Sequence, residues 1–419
     1  MDDVPLAPSK NGCPFSSGAA PEVEDFSFVR ESLLDPPSQV ARLRAQRRLS
    51  KVRLWDGSTT WLATHYEDVR AILGDPRFST VTKRDGYPFV TQQRKEVLLS
   101  GRPNFTFMDA PEHTRFRRAL TPLFTVSRLE RMRPAIQQIV DDLLDEMAAA
   151  EAPYDLVENF TIRMPIRVLL QVTGVPPESE DLFITAAKER VDLSGEADVS
   201  HRSGEVLWSY LDSLLAEREE SPGEADDIVT RLILDQVLPG KISREDAVLI
   251  VNQLLIAGFD NTANTISLGA LALLSSPEQA RRLREDPAMI ASAVNEILRY
   301  STTPQFHASR AATEDVEVGG QVIRAGEGVL ALLHAANRDP AEFPEPDRFD
   351  IGREAAHHMT FSYGMHQCLG QSLARLELQI AFLSLLRRFP GLRLSQPVED
   401  LEFHVYGLAY GLHRLPVAW

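Results

Sequence analysis

One segment carries the strongest chemistry in the chain: Phe361-Ser-Tyr-Gly364-Met-His366-Gln-Cys368-Leu-Gly370. A single thiol stands between two glycines, with an aromatic residue upstream. An amphipathic pattern follows directly, marked by Leu369, Leu373, Leu376, Ile380 and Leu383. At a helix start, free N–H groups and the helix dipole favour a thiolate, which is a strong metal ligand. Gly364 and Gly370 allow the backbone to approach a flat ligand closely. Phe361 can pack against sulfur or a ring. A second segment, Ala257-Gly258-Phe259-Asp260-Asn261-Thr262-Ala263-Asn264, sets a glycine, an acid and three other hydrogen-bonding residues into the most apolar stretch, residues 254–274. Glycine costs a helix about 1 kcal/mol against alanine, and buried polar groups need partners. Such a run is expected to have a use.

The 361–370 segment resembles the haem-binding loop of the cytochrome P-450 family, and most closely its soluble bacterial class. The resemblance extends over residues 27–419 and is most specific over residues 361–383. It implies that Cys368 is the metal ligand to haem b (iron protoporphyrin IX), where a thiolate favours O–O cleavage. Phe361, Gly364 and Gly370 would shape the cofactor loop. Glu296-Ile-Leu-Arg299 resembles the family's ExxR helix, with Arg348 as third member of a structural Glu-Arg-Arg cluster. His113 and Arg117, at i,i+4 on one helix face, match the family's propionate-binding helix. Arg310 and His366 match the other propionate partners.

In the family, an acid and a threonine on the long central helix hold water and deliver protons for oxygen activation. Here Ala257, Gly258 and Asp260 match, but Asn261 stands at the threonine position. Thr262 comes one residue late, about 100° round the helix. An amide is not a hydroxyl relay. Three routes are open. Asp260, water and a substrate hydroxyl could act together. A local bulge could bring Thr262 into the role. The oxidant could need no relay, as in the fungal nitric oxide reductase branch, which the 52–88 region also resembles. Peroxide- or NO-using chemistry belongs with that alternative. Another class of alternative is a non-catalytic haem-binding sensor or scaffold, against which the retained Cys368 and Asp260 argue. The reading adopted is a haem-thiolate monooxygenase. It inserts one oxygen atom from O2 into a mid-sized organic substrate, with electrons from NAD(P)H through a ferredoxin and its reductase. By resemblance, Leu255, Phe259, Pro304, Phe306, His307 and Tyr406 line the substrate pocket. An outward-facing patch containing Arg115 and Arg118 is expected to meet an acidic ferredoxin.

These groups must be positioned by a mainly α fold with small β sheets, the haem lying between the long central helix and the cysteine-loop helix. A hairpin is expected around Asp56-Gly57, and another turns at Gly319-Gly320. Capping boxes at Ser127/Glu130 and Ser243/Asp246 predict two helix starts, the second opening the central helix to Ser275. Residues 83–104 and 172–202 show little pattern and read as long loops of the lid type. Residues 1–25 read as a mobile tail and 26–419 as a single haem-thiolate domain.

Composition sets the outer bounds. Lys and Arg number 44 against 60 Asp and Glu, a net charge of −16. That disfavours nucleic acid, which needs a basic face. The two cysteines, Cys13 and Cys368, cannot form a disulfide framework. With no targeting segment and an acid inside the most apolar stretch, the expected location is cytoplasmic and not in a membrane.

Overall fold

Ser243 opens the element on which the rest is assembled, the central helix Arg244–Leu274. Ser243 Oγ accepts the Asp246 N–H at 3.0 Å, and Asp246 Oδ2 accepts the Ser243 N–H at 3.2 Å. The expected capping box is therefore complete, and Glu245 and Asp246 sit at the positive end of the dipole. From Ile266 to Leu273 the helix is buried on all sides. Two glycines allow that packing. A Cβ at Gly258 would lie 2.8 Å from Leu169 of the helix Arg163–Thr173, and one at Gly269 would lie 2.5 Å from Phe382. Phe382 belongs to the cysteine-loop helix Gln371–Arg388, whose Leu373, Leu376 and Ile380 enter the same core.

The structure is a computed structural model that describes residues 23–419, apart from 29, 31–33, 47, 102–103, 192–196, 306–307 and 405–406. Cys13, Phe306, His307 and Tyr406 lie outside the described residues. So does most of the expected tail. That tail does not reach residue 25, because Glu24–Asp25 pairs in parallel with Val52 and Arg53.

The main sheet has six strands in the order Glu24–Asp25, Leu49–Arg53, Thr59–Ala63, Gly328–Ala331, Ser309–Ala312, Phe78–Ser79. The hairpin forms as expected, with Gly57 at φ 81° and Val52 opposite Thr60. Val316–Val318 and Gln321–Ile323 form the second hairpin around Gly319 and Gly320, both at positive φ. The sheet holds Arg310 in place: its register sets Arg310 opposite Val329.

Three sequence expectations need correction. The helix Val126–Ala149 starts after Thr125, so Ser127 is already inside it, and Glu130 pairs with Arg133 at 2.8 Å instead of capping. Residues 83–104 contain the helix Gln92–Ser100, which buries no residue and so has no apolar stripe to betray it. Its one sequence signal is Thr91, whose side chain caps the Arg94 N–H. Residues 172–202 are mostly helical too, with Glu180–Val191 and the start of Ala197–Glu220.

Candidate functional site

The cysteine loop is built before any ligand enters it. Cys368 donates its backbone N–H to Phe361 O at 2.8 Å, closing the loop on itself. The Phe361 ring lies 4.5 Å from the Arg375 guanidinium and 5.5 Å from the His358 ring. Gly364 has φ 72°, and a Cβ there would lie 2.5 Å from Leu73 O. Its role is thus contact with the helix Tyr66–Gly74, not room for a flat ligand. Gly370 is different: a Cβ there would meet nothing within 4 Å. Cys368 beside it is itself part-exposed. Burial pushes the Cys368 thiol up, while the Gly370 and Gln371 N–H groups and the Arg117 and Arg375 charges pull it down. The helix itself begins at Gln371, so Cys368 precedes it rather than opening it.

Four nitrogen-bearing side chains converge nearby. His113 and Arg117 come from the helix Glu112–Leu120, Arg310 from its strand and His366 from the turn Gly364–His366. The His113 and His366 rings lie 4.2 Å apart. His113 is buried, and its Nδ1 has no partner. Among the described residues, neither Arg117 nor Arg310 forms an ion pair with a carboxylate. Desolvation pulls Arg310 down to about 10 and His366 to about 3. A buried guanidinium without a counter-charge is costly, and a dicarboxylate ligand would supply two. The donors present therefore fit haem: a part-exposed thiol, and orphaned cationic or N–H groups able to hold propionates.

On the central helix, the structure separates the candidates. Leu255 and Phe259 are 1% and 3% exposed and pack into the core. They face away from the accessible side, which carries Gln253, Ala257 and Asn261 at i,i+4 spacing. Leu255 and Phe259 are therefore core residues, not pocket lining. Pro304 is buried and bridges to Ala409. Thr262 is buried in an unbroken α-helix, so no bulge brings it round to the place of Asn261. Asn261 Oδ1 accepts from Thr303 Oγ1 at 3.3 Å, and its backbone oxygen accepts from Thr265 Oγ1 at 2.7 Å. Both threonine hydroxyls are thus occupied. Asp260 is 6% exposed, and burial raises it to about 7 against the pull of the Ala409 N–H and the Asn264 amide.

The buried ion cluster also differs in one member. Glu296 and Arg299 are fully buried and paired at 2.7 Å. Arg299 also donates to the Asn337 and Pro346 carbonyls at 2.8 Å. The third member is Arg353, 3.3 Å from Glu296 and tied to the Pro344, Glu345 and Arg348 carbonyls. Arg348 instead points out, 59% exposed, toward Glu345 and Asp350. Arg353→Ala is expected to cost about 2 kcal/mol, since it leaves Glu296 and three carbonyls short of donors. Arg348→Ala should stay within about 0.5 kcal/mol. Urea unfolding midpoints of the two variants decide between them.

Sequence reasoning missed two further guanidiniums. Desolvation lowers both Arg94 and Arg190; the Arg190 charge lowers Arg94 further, while the Glu205 charge raises Arg190, and neither arginine has an ion pair with a carboxylate among the described residues. Arg94 also feels Tyr87, which in turn feels Arg310. Tyr87 thus neighbours both Arg94 and Arg310. Arg115, expected to be free, is held by Asp246 at 3.1 Å. Arg118 is exposed.

A family model described as Cytochrome P450 matches residues 190–403. Cytochrome P450 GfsF of Streptomyces halstedii is 42% identical over 424 residues, covering 100% of this chain and 97% of its own. Its crystal structure superposes with a TM-score of 0.89 over 95% of this chain. Pentalenic acid synthase of Streptomyces avermitilis is 39% identical over 97% of this chain and 99% of its own. The crystal structure of CYP105P1 in complex with filipin I is 40% identical, with a TM-score of 0.89, over 95% of this chain and 99% of that one.

Proposed function

The chain belongs to the cytochrome P450 family, and from that premise we propose a haem b enzyme with Cys368 as the iron ligand and Asp260 as the proton-supplying acid. The chain is a haem-thiolate monooxygenase of organic substrates, working with O2 and a redox partner. The observation that carries the residue assignment is the convergence of Cys368, His113, Arg117, Arg310 and His366 from separate elements.

When bound, haem supplies the electron-accepting, oxygen-activating iron. The chain's own residues do the rest. Cys368 provides the thiolate, oriented by its bond to Phe361 and by the Gly370 and Gln371 N–H groups. His113, Arg117, Arg310 and His366 receive the propionates. Asn261, anchored through its oxygen to Thr303, offers its amide N–H groups to water or substrate on the accessible helix face. Asp260, poised near neutrality, exchanges the proton.

Arg94 and Arg190 favour a mid-sized substrate that carries acceptor oxygens. A screen following the haem spin-state shift tests this: ligands with a carboxylate or several carbonyls should bind more tightly than hydrocarbons of equal size. Turnover with ferredoxin, its reductase and NAD(P)H tests the activity. Absence of any oxygenated product from the ligands that shift the spin state would overturn it. We place the enzyme in the cytoplasm and read residues 26–419 as one haem-thiolate domain; among the described residues no helix is long and apolar enough to cross a membrane.

The redox partner is expected to dock over the cysteine loop. Tyr363 and Met365 are each 36% exposed there, and the Arg70 guanidinium lies 4.9 Å from the Tyr363 ring. With Arg115 occupied by Asp246, Arg70 and Arg118 are the cations to test. Reversing both to Glu should slow ferredoxin-driven reduction about tenfold at low salt, with the gap closing as salt rises. Stopped-flow reduction that is unchanged at low salt would count against this face.

A further inference from the structure

Asn264, one turn beyond Asp260, links the acid to a part of the molecule that the mechanism has not used. Its Nδ2 donates to Asp260 O at 2.9 Å and to Asp260 Oδ1 at 2.8 Å. A backbone carbonyl only accepts, so this side of the amide is the nitrogen. Its other side, Oδ1, lies 3.1 Å from His404 Nε2, so that imidazole nitrogen carries a hydrogen. His404 sits on the strand Phe403–His404, paired with Gly411–Leu412, and its ring lies 5.2 Å from that of the exposed His413.

The hairpin is shaped around this contact. A Cβ at Gly411 would lie 1.7 Å from Asn264 Oδ1 and 2.8 Å from His404 Nε2. Gly411 does not have a positive φ, so its backbone alone does not demand glycine. What demands it is the space filled by the Asn264–His404 pair.

We propose that His404 is a positioning residue for Asp260: its Nε2–H fixes the Asn264 amide with the nitrogen toward the acid, so that the carboxylate keeps a donor inside an apolar helix. The proposal rests on the reading of Asp260 as the proton-supplying acid. Asn264 is 6% exposed, and without His404 its oxygen would be buried with no donor. The amide would then turn to recover one. The donor left within reach is the protonated Asp260 carboxyl, so the turn favours the neutral acid. The groups acting on Asp260 are Asn264 and the Ala409 N–H, with no charged side chain among them. The atoms of the helix Arg163–Thr173 nearest Gly258 are those of apolar Leu169, and the hairpin presents His404 with His413 behind it. A change at His404 therefore reaches Asp260 through one amide.

The test reads the acid directly. The infrared carbonyl band of protonated Asp260, isolated by subtracting Asp260→Asn, is titrated with pH in the ferric protein without substrate. In the wild type it should disappear with a midpoint near 7. In His404→Ala the midpoint should rise by about one pH unit, the worth of one hydrogen bond to a charged group. His404→Gln, whose amide can donate in the same place, should return it to within about 0.3 unit of wild type. Gly411→Ala should displace it as His404→Ala does, without altering the imidazole. A His404→Ala midpoint equal to wild type overturns the proposal. So does a Gln variant displaced as far as Ala, or a Gly411→Ala variant that keeps the wild-type midpoint if His404→Ala does not fold. The reduced carbon monoxide spectrum of the same samples reports separately on the haem-thiolate reading, since no change at residue 404 or 411 touches Cys368.

Discussion

Cys368→Ala is expected to abolish the red-shifted absorbance of the reduced carbon monoxide complex, and monooxygenase turnover with it, while leaving the helical content of the protein unchanged. The fold does not depend on the sulfur. The loop is closed by the Cys368 backbone N–H on Phe361 O, which alanine keeps. It is seated by Gly364 against Leu73, and by Phe361 against Arg375 and His358. No other cysteine among the described residues can replace the ligand. The substitution removes one part-exposed thiol, so the packing loss is no more than about 1 kcal/mol. Far-UV circular dichroism and the reduced carbon monoxide spectrum, taken on one sample, separate the two effects. A red-shifted band that survives in Cys368→Ala would sink the ligand assignment. Loss of helical signal would instead show that the loop is held by the sulfur.

The parts of this site legible in sequence are those fixed by local spacing. The Ser243/Asp246 cap and the two glycine hairpins each lie within a few residues, and each reads correctly because its physics is local; the 361–370 segment is as compact, yet Gly364 packs on Leu73 O and Cys368 precedes its helix instead of opening it. The parts that misled are those decided by which side of an element meets the core. The central helix is apolar nearly all round, so its periodicity has no phase, and nothing in the sequence distinguishes the face of Leu255 and Phe259 from that of Ala257 and Asn261. Arg348 and Arg353 lie five residues apart in one irregular segment. Only the path of that segment turns Arg353 inward to Glu296 and leaves Arg348 in solvent. The helix Gln92–Ser100 buries nothing, and a helix without a buried stripe leaves only its cap as a signal. His404 could not have been found at all: its partner lies 140 residues away, and the space they share is kept by the absence of a side chain at Gly411.

Asp260→Asn should move function and stability in opposite directions. The carboxyl is 6% exposed, has one oxygen without a hydrogen-bond partner and is raised by burial to about 7. In the unfolded chain it would titrate near 4. Because the folded value is the higher one, the group favours the folded state fully below pH ~4, and that contribution is lost as pH rises through ~7. At pH 8 the wild type therefore holds a desolvated carboxylate, at a cost on the order of 4 kcal/mol. Asparagine carries no charge there and can still meet the Asn264 amide through its oxygen. The variant should thus melt several degrees higher than the wild type at pH 8, and the two should converge toward pH 4. Function should fall at the same time, since an amide cannot exchange the proton. Product formed per NAD(P)H consumed should drop at least tenfold with a ligand from the spin-state screen, with peroxide release rising to match. Asn261→Thr, which restores a hydroxyl to the accessible face, should preserve or improve that ratio with generic substrates. A variant less stable than wild type at pH 8 would mean that Asp260 is held as a favourable carboxylate by contacts outside Asn264 and Ala409. An unchanged product ratio would remove Asp260 from proton supply altogether. The combination expected here, greater stability with lost coupling, is what a buried acid kept for chemistry rather than for folding must show.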